Sequence, residues 1–254
     1  MRITCGQLAI HDGRLDLNLQ HGLDLLENAP QSDVYLLPEL FTTGYAFSVW
    51  EEAADRHTPE VVRALKQLAV KRDAAVMAGT IARNEQGQLV NRLWWLSPNG
   101  DSHYDKAHLI AAFREPELLA RGTELFLSPH GEAKLHGSIC FDLRFPEMYR
   151  AAAIDGAEAL LVISEWPAKR QEPLVTLARA RAMENQAWLV LCNRAGDADD
   201  GTAFAGGSMI IDPEGVVVAE AGAEHGYCSA EIDIKRVHDL RENFPVLSMS
   251  RRAW

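Results

Sequence analysis

The 254-residue chain contains no apolar run near the roughly 20 residues that a bilayer-spanning helix needs. Met1-Arg2-Ile3-Thr4-Cys5 enters a strand-like pattern at once, without the apolar core and cleavage site of a secretory leader. Cysteine is sparse: Cys5, Cys140, Cys192 and Cys228 lie far apart with no CxxC pair. Neither a zinc site nor a disulfide framework is expected, and a cytoplasmic, reducing compartment fits. Basic residues are also short, with 25 Lys plus Arg against 36 Asp plus Glu and a formal charge of −11. Such a field repels nucleic acid and anionic membranes, so neither is expected as a partner. The nine histidines show no HExxH or other ligand spacing, so no metal is assigned. The acidic stretch Gly196-Asp197-Ala198-Asp199-Asp200-Gly201 lacks EF-hand spacing and reads as a solvated loop. No fixed-period repeat or low-complexity linker divides the chain, so residues 1–254 read as one domain.

What is present is an alternation of strands and helices. Arg2 to Ile10 and Val34 to Leu37 read as strands, and Leu19, Leu23 and Leu26 stripe a helix over Asp16 to Ala29. Thr58-Pro59 offers an N-cap followed by proline, opening a helix striped by Val61, Leu65, Leu68 and Ala69. Ala74 to Ala82, Leu89 to Ser97 and a strand ending near Tyr104 follow, joined by turns at Asn84–Gly87 and Pro98–Asp101. Further strands are expected over Lys134 to Phe141, Ala159 to Ser164, Trp188 to Cys192, Ser208 to Ile211, Val216 to Ala219 and Cys228 to Ile234. Helices are expected from Phe145-Pro146 to about Asp155, over Val175 to Gln186, and from Lys235. Many strands with amphipathic helices imply a layered α/β protein with its helices outside.

Three segments put a reactive residue at a strand end. Glu39, in Leu36-Leu37-Pro38-Glu39-Leu40-Phe41, sits where apolar neighbours would raise its pKa for proton transfer, or where it simply caps a loop. Lys106, in Tyr104-Asp105-Lys106-Ala107-His108-Leu109, either turns inward to stabilise an oxyanion or is a solvated lysine. Cys140, in Ile139-Cys140-Phe141-Asp142-Leu143-Arg144-Phe145-Pro146-Glu147, is either an exposed nucleophile with a basic neighbour or an inert packing residue. Phe41, Tyr45, Phe113 and Trp166 can wall a pocket or belong to the core. Arg144 and Glu147 read as structural ion-pairing residues, and Cys5, Cys192 and Cys228 as packing residues.

Together, Leu-Pro-Glu-Leu-Phe, Tyr-Asp-Lys-Ala-His-Leu and Ile-Cys-Phe-Asp-Leu-Arg-Phe-Pro-Glu, in this order, resemble the nitrilase superfamily of carbon–nitrogen hydrolases. The likeness continues through Ser164-Glu165-Trp166-Pro167, Ala180–Gln186, Gly206–Gly215 and Arg241–Val246. It implies a four-layer α-β-β-α sandwich, a homodimer and no cofactor. It also implies roles: Cys140 as nucleophile, Glu39 as general base, Lys106 and the Phe141 backbone N–H as oxyanion donors. Glu115 takes the place of the family's second glutamate, with Glu117 as the alternative. Tyr45, Phe113, Phe141 and Trp166 are the expected substrate-contact residues.

Leu37–Tyr45, Phe113–Glu117 and Ile163–Pro167 look most like bacterial members of the ω-amidase branch. That branch hydrolyses the distal amide of 2-oxoglutaramate and 2-oxosuccinamate. Deaminated-glutathione amidase, N-carbamoyl amine hydrolase and nitrilase are the alternatives on the same residues. One departure stands out: Pro173-Leu174 replaces a His-Trp pair that many relatives carry at the pocket rim. Arg114 and Arg170 are candidates, by location, for a substrate carboxylate.

Overall fold

The computed structural model describes residues 1–249. In chain order these form β1 (Arg2–Gln7), α1 (Leu15–Asn28), β2 (Val34–Leu36), α2 (Thr58–Lys71), β3 (Ala75–Arg83), β4 (Leu89–Ser97) and β5 (Gly100–Asp105). There follow β6 (Phe126–His130), β7 (Ala133–Ile139), α3 (Pro146–Ile154), β8 (Ala159–Ser164), α4 (Gln171–Asn185) and β9 (Trp188–Asn193). The chain continues through β10 (Ala195–Asp197), β11 (Ala203–Ala205), β12 (Met209–Ile211), β13 (Val217–Glu220), β14 (Gly226–Glu231) and α5 (Ile234–Asn243).

Two six-stranded sheets result, ordered β14-β1-β2-β3-β4-β5 and β13-β12-β9-β8-β7-β6. Each has three parallel strands at its centre, β1–β2–β3 and β7–β8–β9, flanked by antiparallel ones. The period-two alternation of β3 shows how the layers form. Ala75 and Met77 enter the core shared with β7, β8 and β9, whereas Val76 and Ala78 pack against Leu26 of α1 and Val61, Leu65 and Leu68 of α2. On the other sheet, Leu174, Ala178 and Ala182 of α4 and Tyr149 and Ala152 of α3 complete the core. The architecture is the expected sandwich with helices outside both sheets. Parallel strands covered on both faces are apolar throughout, and all six residues of β8 are buried.

Several local expectations change. Thr58 is no N-cap, because the turn Ala53–His57 already winds into α2. Its hydroxyl instead donates to the Ile81 carbonyl at 2.7 Å. Helix α4 begins at Gln171, four residues before the expected Val175, with Pro173 in its first turn, where no N–H is required. Leu174 is buried in the core, so Pro173-Leu174 serves the start and packing of α4. The strands β6, β10 and β11 carry too little alternation to be seen in sequence. Residues Gly196–Gly201, expected as a loop, in part form β10, the first strand of a hairpin. Strand β7 stops at Ile139, one residue before Cys140.

Candidate active site

Open α/β sheets place ligand sites beyond the carboxyl ends of their parallel strands, and here two such ends meet. Glu39 follows β2, Cys140 follows β7, and Glu165 and Arg194 follow β8 and β9. Pairing persists past β2: Leu37 N–H donates to Met77 O at 2.8 Å and Gly79 N–H to Pro38 O at 3.2 Å. Gly79 admits this approach. A Cβ there would lie 2.7 Å from Glu39 Cα and 2.9 Å from Leu40 N. Lys106 likewise extends β5 along β4, its N–H donating to Asn91 O at 2.9 Å.

Glu39, Lys106 and Glu115 are completely buried and share one set of contacts. Lys106 Nζ donates to Glu39 Oε1 and to Glu115 Oε1, both at 2.7 Å. Asn91 Nδ2 donates to Glu39 Oε1 at 2.7 Å, and Tyr45 OH to Glu115 Oε1 at 2.9 Å. The remaining oxygens take backbone N–H groups, Glu39 Oε2 from Glu165 at 3.0 Å and Glu115 Oε2 from Ile110 at 2.7 Å. Glu39 therefore sits among donors and not in the apolar surroundings its strand-end position implied. Burial alone would lower the Lys106 pKa, but the two carboxylates outweigh it and hold the ammonium above its ordinary value. An ammonium has three N–H donors. Two are committed to the glutamates, which leaves one for a ligand.

Cys140 is buried, not exposed as its place between strand and helix implied. Burial and then the facing Glu39 charge push its thiol well above the usual range, with Lys106 only partly opposing them. The sulfur thus rests as a neutral thiol beside the Glu39 charge. Cys140 also has φ +46°, a conformation that costs an L-residue energy and persists only where its surroundings fix it. Leu40, next to Glu39, has φ +42°, and Arg114, next to Glu115, has φ +56°. Backbone strain therefore gathers at all three segments.

Asp142 ties the lysine segment to the cysteine turn. Its Oδ2 accepts from Tyr104 OH at 2.8 Å and Ile139 N–H at 3.0 Å, and its Oδ1 from His108 N–H at 3.0 Å. The His108 ring bonds the same Oδ1 and stacks on Phe145 at 3.7 Å between centroids.

A cavity of about 390 Å³ adjoins the cluster through Tyr45, with Asp12, Phe47, Phe113, Arg194 and Phe204 among its walls. Tyr45 and Phe113 therefore line it together, their rings 4.6 Å apart. Trp166 and Phe141 lie outside that lining. Trp166 is buried, donates from Nε1 to Arg170 O at 2.8 Å and carries the Arg144 guanidinium 5.0 Å above its ring. Phe141 packs edge-on against Phe145. Arg144 forms no ion pair with Glu147 and uses the Trp166 face instead. Glu117 points away from the cluster, paired with Arg114 at an exposed position. Phe41 belongs to the core beneath α1. Cys5, Cys192 and Cys228 are buried packing residues as expected. Among the described residues, no group of three potential ligands is arranged to hold a metal.

Sequence reasoning missed Asn91, Asp142, Glu165 and Arg194 as members of the site. Asn91 had a visible signal, an amide inside the apolar stretch Leu89 to Ser97. Asp142 and Glu165 lie inside quoted motifs, and Arg194 lies two residues past the expected end of the Trp188 to Cys192 strand, with no motif of its own.

This combination of sandwich, strained cysteine and two glutamates around one lysine defines a recognisable class. A carbon-nitrogen hydrolase family model matches residues 2–242, and the chain belongs to that family. Among its relatives, 2-oxoglutaramate amidase from Bacillus subtilis is 36% identical over 98% of this chain and 97% of its own length. Omega-amidase YafV from Yersinia enterocolitica is 36% identical over 90% of this chain and 88% of its own. The crystal structure of XC1258 from Xanthomonas campestris, a CN-hydrolase superfamily protein with an arsenic adduct in its active site, superimposes with a TM-score of 0.93. It is 27% identical and covers 100% of this chain and 98% of its own.

Proposed function

We propose that this protein hydrolyses the ω-amide of a small 2-oxo acid, of the 2-oxoglutaramate or 2-oxosuccinamate type, to a carboxylate and ammonia. One observation carries the reading: Lys106 is held at 2.7 Å by both Glu39 and Glu115, beside a buried cysteine thiol on which the Glu39 charge acts. The names of the two relatives above support the substrate class.

The chemistry follows from the donors and acceptors. Cys140 Sγ attacks the amide carbon as its proton passes to Glu39. Because the resting thiol is neutral, proton transfer accompanies attack and does not precede it. The oxyanion takes the third N–H of Lys106 and the backbone N–H of Phe141. The proton on Glu39 passes to the departing nitrogen, the C–N bond breaks, and ammonia leaves a Cys140 thioester. Glu39 then draws a proton from water as its oxygen attacks the thioester. Breakage of the C–S bond returns that proton to sulfur and frees the carboxylate. Glu115 fixes the lysine, and Tyr45 and Phe113 wall the cavity.

Arg144 is the cation we assign to the substrate carboxylate. It ends the turn that Cys140 begins and makes no ion pair among the described residues, whereas Arg114 is paired with Glu117, Arg194 with Glu165 and Asp12, and Arg170, also unpaired, is exposed and outside that turn. Phe141 and Trp166 complete this side of the site. No cofactor enters the scheme.

We place the enzyme in the cytoplasm as a homodimer. Four free cysteines support the compartment. For the dimer, Phe244 and Met249 stand 66% and 79% exposed around a cavity that also includes Arg150, Pro245 and Val246, an apolar face suited to a second copy.

The test is a panel of 2-oxoglutaramate, succinamate, glutamine, a carbamoyl amine and a nitrile, scored for ammonia, carbon dioxide and acid. The reading expects the oxo-amide to be turned over fastest. Nitrile turnover as the main activity would contradict it.

A further inference from the structure

Beside the four residues of the mechanism lies a second buried ionic group that the mechanism leaves unused. Glu165 is wholly buried at the end of β8, and its N–H holds Glu39 Oε2. Its Oε2 accepts from Arg194 Nη1 at 2.7 Å. Arg194 also reaches Asp12 Oδ1 at 2.9 Å, donates to Ile10 O at 2.8 Å and lies over the Phe204 ring. Glu165 Oε1 is buried without a hydrogen-bond partner.

Charge counting makes this arrangement informative. Four carboxyl groups, Glu39, Glu115, Glu165 and Asp12, share two cations, Lys106 and Arg194. If all four were ionised, the buried cluster would carry two uncompensated negative charges, before any thiolate or oxyanion formed. Charge without a counter-ion is expensive away from water, so a proton belongs on one carboxyl. Glu39 and Glu115 use both oxygens as acceptors, from an ammonium, an amide, a phenol and backbone N–H groups. Asp12 touches Arg194 with one oxygen and takes the Asp199 N–H with the other, at the edge of solvent. Oδ1 of Asp12 and Oε1 of Glu165 both lack a hydrogen-bond partner, but Asp12 Oδ1 lies 2.9 Å from the Arg194 guanidinium on a side chain that reaches solvent, whereas Glu165 is completely buried.

We propose that Glu165 is a positioning residue that acts through Glu39: protonated on Oε1 at neutral pH, it adds no negative charge beside Glu39 and Cys140, and its ionisation shuts the enzyme down at alkaline pH. Loss of that proton puts a second negative charge against Glu39, Cys140 and the developing oxyanion, opposing thiol deprotonation and carbonyl attack alike. The electrostatics agree. Burial raises the Glu165 pKa, Arg194 opposes this, Glu39 and Asp12 add to it, and the carboxyl is pushed up to about 8. The groups facing it are Arg194 after β9, Asp12 after β1, Glu39 after β2 and Tyr45 in the loop beyond. Tyr45 is held protonated by burial and by the charges of Glu115 and Glu39.

The proposal rests on the amidase reading, and the experiment separates the two. Ammonia release is followed from pH 6 to 10 for wild type, Glu165→Gln and Asp12→Asn. Wild-type kcat/KM should fall above about pH 8, approaching tenfold per unit. Glu165→Gln, a permanent mimic of the neutral acid, should lose that alkaline limb. Asp12→Asn removes a charge that raises the Glu165 pKa, so its limb should move to lower pH. An alkaline limb unchanged in both variants overturns the proposal, and if Glu165→Gln does not fold, an unmoved limb in Asp12→Asn alone does so. Infrared difference spectra between wild type and Glu165→Gln need no substrate. A protonated-carboxyl stretch present in wild type at pH 7 and missing from the variant supports the proposal even if no amide is hydrolysed; its absence from wild type overturns it.

Discussion

Oε1 of Glu39 and Oε1 of Glu115 take hydrogen bonds from the same lysine ammonium, each at 2.7 Å, although 76 positions separate the two glutamates in the sequence. The lysine is thereby a fixed charge with one donor to spare, and the glutamates are not interchangeable, because the Glu39 charge acts more strongly on the thiol than the Glu115 charge does. Glu115→Gln removes one anchor of Lys106 and leaves Glu39, the proposed base. Steady-state kinetics should show kcat reduced by about 100-fold or more with a smaller change in KM. An unchanged kcat would remove Glu115 from the machinery.

Gly79 is the space into which Glu39 fits. Gly79→Ala forces a Cβ to within 2.7 Å of Glu39 Cα, and the atom it meets is backbone. Overpacking of this kind costs about 1–3 kcal/mol. Activity should fall more steeply than stability, because the displaced residue is the proposed base. Thermal melts and turnover measured together check this; full turnover in the variant would show that Glu39 tolerates the shift.

Asp142 joins the strand that delivers Lys106 to the turn that delivers Cys140. Tyr104→Phe deletes one of its donors, worth about 1.5–3 kcal/mol for a hydrogen bond to a charged group. Asp142→Asn removes the charge that His108, Tyr104 and Ile139 share. Both should lower kcat and the alkylation rate of Cys140 in parallel, Asp142→Asn more strongly, while KM moves little. A drop in stability with no change in thiol reactivity would make Asp142 a purely structural residue.

His136 gives a prediction about acid stability. Burial lowers its pKa to about 4, against 6.5 for the unperturbed ring, although its Nδ1 bonds Phe126 O at 2.9 Å. The folded state thus binds fewer protons than the unfolded chain between these values, so this contribution is full above about pH 6.5 and lost progressively toward pH 4. His136→Asn keeps a donor near Nδ1 without titrating. The loss of melting temperature between pH 7 and pH 5 should be smaller in this variant than in wild type; equal losses would place the acid sensitivity elsewhere.

Much of this site was legible in sequence because three principal residues each close a buried strand within a short motif. Glu39, Lys106 and Cys140 stand out in this way, and the layered fold follows from the same alternation; Glu115 closes no strand, and only the family resemblance, through its place nine residues after Lys106, points to it. The failures have physical causes. Sequence shows that a strand ends, not which donors await there, so Glu39 read as an apolar-pocket carboxylate although four groups donate to it. Positive φ at Cys140, Leu40 and Arg114 leaves no trace when the residue is not glycine. Glu165 shows in sequence only as a neighbour of Trp166, since its contacts with Glu39 and Arg194 bridge 126 and 29 positions.

The central claim is that Cys140 carries an amide hydrolysis, and ammonia release from 2-oxoglutaramate by purified wild type and Cys140→Ala tests it most directly. The account predicts rapid release by wild type, well above that from glutamine, and loss of essentially all of it in Cys140→Ala. Full ammonia release by Cys140→Ala would contradict it.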